Sequence, residues 1–148
     1  MRTKMIAAVI AGAAVAGVLA ATPAASAATV VDEYSYTAGE IPRRVTLLRE
    51  GNDLIGEALV RDRAGAPNYD VSVSRVQLQW YSYSSQRWIT LYEEGDYDGW
   101  RPEWDHAVTP WSTGSTGKWR VIALFKWRRY GSTATPSQQW MVTDGYWV

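Results

Sequence analysis

Cysteine is the most informative absence in this chain of 148 residues, which contains none. Without cysteine, disulfides, thiol nucleophiles, zinc–thiolate sites and lipid attachment at a cysteine are all excluded. Histidine is nearly absent too, because His106 is the only one. A Ser-His-Asp triad would need His106 with Asp105 or Glu103, and no Gly-x-Ser-x-Gly motif accompanies it. We therefore expect no catalytic residues, and a small paired-carboxylate hydrolase remains only as an alternative.

An excess of positive charge is also missing. The chain has 15 Lys plus Arg and 15 Asp plus Glu. Arg2 and Lys4 belong to the N-terminal segment, so 13 basic and 15 acidic residues follow it, a net charge of −2. Nucleic-acid binding depends on concentrated positive charge, so we do not expect it.

The N-terminal segment has the pattern of a secretory signal peptide. Arg2 and Lys4 precede an uncharged apolar run from Ile6 to Ala21, and Ala25-Ser26-Ala27 follows as a small-x-small cleavage site. The run has 16 residues, which is short for a membrane span. We expect cleavage after residue 27. The remainder, residues 28–148, should be one secreted, extracellular domain without membrane attachment.

Aromatic residues are abundant in that domain. It contains all nine Trp, all nine Tyr and the single Phe of the chain. Every tryptophan lies between Trp80 and Trp147, so the first part of the domain has none. Binding through aromatic side chains is therefore expected of the second part.

Alternation of apolar and polar residues with period two dominates the domain and predicts strands rather than helices. The predicted strands are residues 30–37, 43–50, 54–61, 71–83, 88–93, 118–129 and 138–143, with an eighth at 104–111 and an extension at 146–148. In the clearest one, 118–129, the predicted inward side chains are Trp119, Val121, Ala123, Phe125 and Trp127. Seven to eight short strands indicate an all-β, antiparallel β-sandwich.

Two segments carry a family resemblance. Gly117-Lys118-Trp119-Arg120-Val121-Ile122-Ala123-Leu124-Phe125, the loop 131–137 and Trp140-Met141-Val142-Thr143 together resemble the last hairpin of fibronectin type III and related immunoglobulin-like domains. Val76-Gln77-Leu78-Gln79-Trp80 is similar to their central strand, so the resemblance covers residues 71–148. Trp119 departs from the family, which usually has a corner tyrosine there. The resemblance implies an immunoglobulin-like sandwich and leaves the function open.

Three tryptophans in one irregular segment form the first candidate binding site. Trp100, Trp104 and Trp111 lie between Gly95 and the strand at 118–129. An exposed indole can stack on the C–H face of a sugar ring, and tryptophan is also enriched in protein-binding hot spots. We therefore predict a binding platform for a carbohydrate or an extracellular protein. The alternative is that the three indoles plug the open end of the sandwich.

The end of the 118–129 strand offers a second candidate site. Trp127-Arg128-Arg129-Tyr130 is similar to the Trp-Arg-Tyr segment of small α-amylase inhibitors secreted by streptomycetes. The resemblance implies an inhibitor of an extracellular hydrolase that binds through Trp127, Arg128 and Tyr130. Those inhibitors are shorter and held by disulfides, whereas this chain has no cysteine and one additional arginine. A plain strand end with solvent-facing arginines is the other interpretation.

An acidic turn offers a candidate for calcium. Glu94, Asp96 and Asp98 alternate before Gly99, as oxygen ligands do in calcium loops. No helices are predicted on either side, and Pro102 falls within the loop, which argues against an EF-hand. We expect a solvated turn with no metal or cofactor, and Asp96 and Asp98 are the candidate ligands if calcium is bound.

Overall fold

The computed structural model describes residues 27–63, 67–95, 99–113 and 116–148. Residues 1–26, which carry nearly all of the predicted signal peptide, lie outside this part of the chain. In the described ranges the chain forms ten strands and no helix. Accordingly, no helix in those ranges is long and apolar enough to span a membrane.

The strands have clear bounds along the chain. They are β1 (Thr29–Tyr36), β2 (Arg43–Glu50), β3 (Asp53–Arg61), β4 (Tyr69–Ser82), β5 (Arg87–Gly95), β6 (Trp104–Val108), β7 (Ser112–Thr113), β8 (Lys118–Arg129), β9 (Ser137–Val142) and β10 (Tyr146–Trp147). The bounds of β2 and β8 are those predicted from the alternation. The other long strands differ from prediction by one or two residues at an end.

The ten strands form two antiparallel sheets of five, packed face to face as a sandwich. The first sheet has the order β1–β2–β3–β6, and β7 also pairs with β3. The second has the order β10–β8–β4–β5, and β9 also pairs with β8. In each sheet two short strands lie end to end along one long strand. The all-β, antiparallel sandwich predicted from the sequence is confirmed at this level.

The strand count exceeds the predicted seven to eight partly because two strands occur where one was predicted at 104–111: β6 ends before residue 111, and β7 begins just after it. β6 ends at Val108, and pairing with β3 resumes only at Ser112. Pro110 lies between the two pieces, and proline has no N–H to donate to a neighbouring strand. The two-residue strand β10 is the other addition.

Strand β8 lies in the middle of the second sheet, between β4 and the pair β9 and β10. Four of its predicted inward side chains are fully buried: Trp119, Val121, Ala123 and Phe125. The first sheet contributes Val45, Leu47, Leu54, Ala58 and Val60 to the same core. Each large apolar side chain buried there contributes about 1.5–3 kcal/mol to stability. Trp127, also predicted to face inward, is only partly buried, and both it and Trp80 pack against this core.

Candidate functional site

The three tryptophans of the predicted platform lie at separate places. Trp100 is partly buried beside the second sheet, where the guanidinium of Arg128 lies 4.3 Å from the centre of its ring. Trp104 begins β6 in the first sheet, and Trp111 precedes β7; their exposed fractions are 49% and 43%. Among the described residues no ring contact joins any two of the three. The three indoles therefore form no stacked cluster, and a platform built from them stays a prediction.

The alternative segment is divided between two faces of β8. Trp127 faces the interior, where the guanidinium of Arg43 lies 4.5 Å from the centre of its ring. Arg128 faces outward, with its Nε 3.5 Å from a carboxylate oxygen of Asp70. Tyr130 follows the strand and is 56% exposed. Trp127 and Arg128 border a cavity of about 310 Å³, and Tyr130 lies outside its lining.

The sole histidine belongs to a surface ion cluster on the first sheet. The Nε2 atom of His106 lies 2.8 Å from Oε1 of Glu57, and the guanidinium of Arg44 lies 3.8 Å from the other oxygen of Glu57. The hydrogen bond from His106 is the main cause that lowers the pKa of Glu57. Asp105 is buried and accepts the backbone N–H of Val73 at 2.6 Å. Asp105 thus supports the fold through the backbone of Val73. The imidazole of His106 is bonded to Glu57 instead of to Asp105, the partner that a triad would use.

The calcium candidates Asp96 and Asp98 lie outside the described residues. In the part of the chain that the structure describes, no three His, Asp or Glu side chains come close enough together to form a metal site.

The outer face of the second sheet carries a continuous row of aromatic and polar side chains, here named the strip. Alternation along β4, β5 and β8 turns these side chains away from the core, and the strand register places them next to one another. The strip consists of Arg75, Gln77, Gln79, Tyr81, Tyr83, Trp88, Thr90, Glu93, Arg120 and Trp147.

One end of the strip is aromatic. The rings of Tyr83 and Trp147 are stacked, with centroids 5.7 Å apart and planes inclined by 22°. Both are among the most exposed rings of the described residues, at 54% and 58%. Tyr81 contacts Tyr83 edge-on at 4.9 Å and Trp88 edge-on at 5.2 Å. Such contacts contribute about 0.5–1.5 kcal/mol each, so the rings hold one another in place.

The other end is polar and linked by hydrogen bonds. Gln79 donates its Nε2 to Oε1 of Gln77 and to the hydroxyl of Thr90, both at 3.0 Å. Gln77 donates in turn to Glu93 at 2.5 Å, and the Nε of Arg75 lies 3.2 Å from the other oxygen of Glu93. These bonds orient the amides and the carboxylate before any ligand arrives, which lowers the entropy cost of binding.

Arg120 lies between the aromatic end and the polar end of the strip and contacts both. Its guanidinium lies 4.1 Å from the centre of the Trp88 ring. Its Nε donates to Oε1 of Gln79 at 2.8 Å. Burial lowers the pKa of Arg120. The arginine is thus held between the aromatic rings and the row of amides.

A β-bulge in β5 brings Glu93 to this face. The register between β4 and β5 shifts at Leu91, so that Glu93 lies opposite Gln77 and Tyr92 lies opposite Leu78. Uninterrupted alternation after Trp88 would instead place Tyr92 on the outer face. A bulge re-aims the side chains that follow it, and here it supplies the only carboxylate of the strip.

Sequence reasoning missed this site. The alternation of Gln77, Gln79 and Tyr81 is visible in the sequence, and it indicated only the solvent side of a strand. Trp88 and Arg120 show no local signal that links them to that row, because they lie on two other strands. Knowledge of which strands flank β4 is what reveals the site.

Comparison with known proteins leaves the site to be interpreted from its own geometry. No known protein-family model matches the chain, and a comparison with curated proteins finds no match either. The contiguous rings and the oriented polar side chains of the strip are therefore the basis on which its function is inferred.

Proposed function

We propose that this protein is a secreted, non-enzymatic carbohydrate-binding module and that the strip is its binding surface. The observation that carries the proposal is the exposed, stacked pair of Tyr83 and Trp147 in line with a row of hydrogen-bonded polar side chains. Export is part of the proposal and rests on the N-terminal sequence pattern.

A sugar polymer matches both ends of the strip. The C–H groups on the face of a pyranose carry partial positive charge and are attracted to the negative face of an aromatic ring. Its hydroxyl groups both donate and accept hydrogen bonds, as do the amides of Gln77 and Gln79. A protein partner suits the strip less well, because protein interfaces have an apolar centre and a polar rim. In the strip, six of the ten side chains are polar, and they lie in line with the aromatic rings rather than around them.

We also infer that the sandwich is of the immunoglobulin-like type. The order β9–β8–β4–β5 in the second sheet corresponds to the G–F–C–C′ order of such domains. The order β2–β3–β6 in the first sheet corresponds to their A–B–E strands. β1 lies beyond this pattern, as an additional edge strand beside β2.

Binding to soluble polysaccharides tests the proposed function. The purified protein is titrated calorimetrically with a panel of neutral and acidic plant and bacterial polysaccharides, and we expect at least one to bind. Tyr83→Ala and Trp147→Ala each remove one exposed ring. Each should weaken binding by about 2 kcal/mol, roughly 30-fold, as loss of an aromatic hot spot does.

Trp104→Ala is the matched control, since Trp104 is similarly exposed but lies on the other sheet. It should bind like the unmodified protein. Loss of binding in Trp104→Ala, with normal binding in the two strip variants, would move the site to the first sheet. If no polysaccharide of the panel binds, the protein is not a carbohydrate-binding module.

A further inference from the structure

On the outer face of β8, Lys118 and Arg120 have no acidic partner among the described residues. Lys118 and Arg120 are two residues apart in the strand and therefore point to the same side. Lys118 lies opposite Trp147 in the register with β10, which places it beside the aromatic end of the strip. The ion pairs of Arg44, Arg75 and Arg128 and the contact between His106 and Glu57 involve neither Lys118 nor Arg120. No described carboxylate is paired with Lys118 or Arg120.

The unpaired state of Arg120 is energetically unfavourable. Its guanidinium is partly withdrawn from water against Trp88, and burial of a cation costs free energy unless a counter-charge offsets it. The lowered pKa of Arg120 is consistent with this cost. Only its Nε donates a hydrogen bond to a described group. The N–H donors on its two terminal nitrogens therefore remain for a ligand.

The chemistry of those donors selects an anionic group. A guanidinium presents paired N–H groups in a plane that matches the two oxygens of a carboxylate. The ammonium of Lys118 adds a second, less directional charge on the same face. The strip has one carboxylate, Glu93, and it is already bonded to Gln77 and Arg75. A negative ligand thus meets uncompensated positive charge between the rings and the row of amides.

Building on the proposed function, we propose that the ligand is an acidic polysaccharide whose uronic-acid carboxylate binds Arg120 and Lys118 while its sugar rings stack on Tyr83 and Trp147. The carboxylate replaces the missing counter-charge of Arg120. Charge-assisted hydrogen bonds are about twice as strong as neutral ones. Discrimination between acidic and neutral sugars therefore arises at Arg120, and the aromatic rings contribute affinity to both.

Polygalacturonate and its fully methyl-esterified form are the probes, because they share one backbone and differ in the carboxylate. We expect polygalacturonate to bind roughly tenfold or more tightly than the ester, the effect of a hydrogen bond to a charged group. The difference should shrink as salt is raised, because salt screens exposed charges. Dextran sulfate and neutral dextran form a second pair, which separates carboxylate recognition from attraction to any anion.

Arg120→Gln removes the charge and keeps a planar amide. In this variant the preference for polygalacturonate over its ester should be largely lost, whatever the change in the affinity for the ester. Lys126→Gln is the control, because Lys126 lies on the same face of β8 opposite Gln138, away from Trp88. It should keep the preference. Lys118→Gln serves as a second test variant if Arg120→Gln lowers the melting temperature.

The possible outcomes separate failure of the acidic-ligand proposal from failure of the proposed carbohydrate binding. Equal affinity for polygalacturonate and its ester overturns the acidic ligand and leaves carbohydrate binding in place. Binding of dextran sulfate without binding of polygalacturonate overturns the carboxylate. A similar loss in Lys126→Gln and Arg120→Gln means diffuse attraction, which overturns the site at Arg120. Failure to bind these probes and every neutral polysaccharide overturns the proposed function itself.

Discussion

The outer faces of the two sheets both expose tryptophan and both carry charged side chains, but they are organised differently. On the first sheet, Glu57 is hydrogen-bonded to His106 and paired with Arg44, and Trp104 touches no other ring among the described residues. On the second sheet, four rings contact one another in sequence and end at Arg120, which has no acidic partner in the described ranges. Among the described residues, the carboxylate on the first face is thus bonded to its neighbours, whereas the guanidinium of Arg120 on the second face has no carboxylate partner.

Exposure alone therefore does not distinguish the two faces. Trp104 is 49% exposed and Trp147 is 58% exposed, which is nearly the same. The surroundings of the two side chains differ, because Trp147 is stacked on Tyr83 within a continuous surface. Isolated exposed apolar side chains are ordinary in soluble proteins, whereas contiguous patches mark interaction sites.

The largest effect is expected for the loss of a buried ring from β8. It tests the register of β8, on which the comparison between the two outer faces depends. That register turns Phe125 inward and its neighbour Lys126 outward. Phe125→Ala leaves a cavity in the core and should lower the free energy of unfolding by about 3–5 kcal/mol. Lys126→Ala should lower it by well under about 1 kcal/mol. Urea denaturation measures both, and equal losses would mean that β8 has another register.

A bound polysaccharide should protect the tryptophans that it covers from oxidation, and this protection compares the two outer faces within one molecule. At a polysaccharide concentration about ten times the Kd, roughly one protein molecule in ten is unoccupied. Oxidation of Trp147 by N-bromosuccinimide should therefore slow roughly tenfold, while Trp104 reacts at its original rate. Peptide mass spectrometry gives both rates. Protection of Trp104 without protection of Trp147 would exchange the roles of the two faces.

A smaller effect is expected at the centre of the polar row. Gln79→Ala removes the acceptor of Arg120 and the donor to Gln77 and Thr90. Loss of oriented hydrogen bonds should weaken polysaccharide binding by about 1 kcal/mol, roughly fivefold. Calorimetry measures the affinity, and the melting temperature is recorded beside it because Gln79 is buried.

The control for this change is Gln138→Ala, an exposed glutamine in β9 that lies outside the strip. It should bind normally. Unchanged affinity in Gln79→Ala would show that the polar row does not position the groups that hold the ligand.

The smallest effect is expected for the stability that ionised Glu57 contributes on the first sheet, and it appears only at low pH. The hydrogen bond from His106 holds the pKa of Glu57 below its ordinary value of 4.5, so folding favours the ionised carboxylate. This stabilisation is present above the ordinary pKa and is lost as the pH falls through the lowered one. The unmodified protein should therefore lose more stability than Glu57→Gln on acidification. Thermal melts between about pH 6 and pH 3 measure this, and parallel curves would contradict it.

Much of the fold was predictable from particular strands. The alternation in β8 predicted its bounds and its buried face correctly, because the inward side chains are all apolar and the outward ones include lysine and arginine. The segment 104–111 was predicted as one strand, although Pro110 interrupts its pairing. The strand Trp88 to Glu93 was predicted without its bulge, because an extra residue at Leu91 has no distinctive sequence.

The candidate site was less predictable than the fold. Trp100, Trp104 and Trp111 are neighbours in the sequence, which suggested a common platform, but the chain passes from one sheet to the other between Trp100 and Trp104. Trp127 and Arg128 face opposite sides of β8 but both border one cavity, whereas Tyr130 lies outside its lining. Proximity along an extended chain is thus a poor guide to a shared surface.

The all-β class and the inward face of β8 follow from the sequence alone, because alternation with period two is a local property of the chain. Only the tertiary structure decided which strands lie side by side. Gln79 and Arg120 are 41 residues apart, and they meet because β4 pairs with β8. Strand pairing depends on how two sheets bury their apolar faces together, and the alternation within one strand does not specify which strands lie beside it.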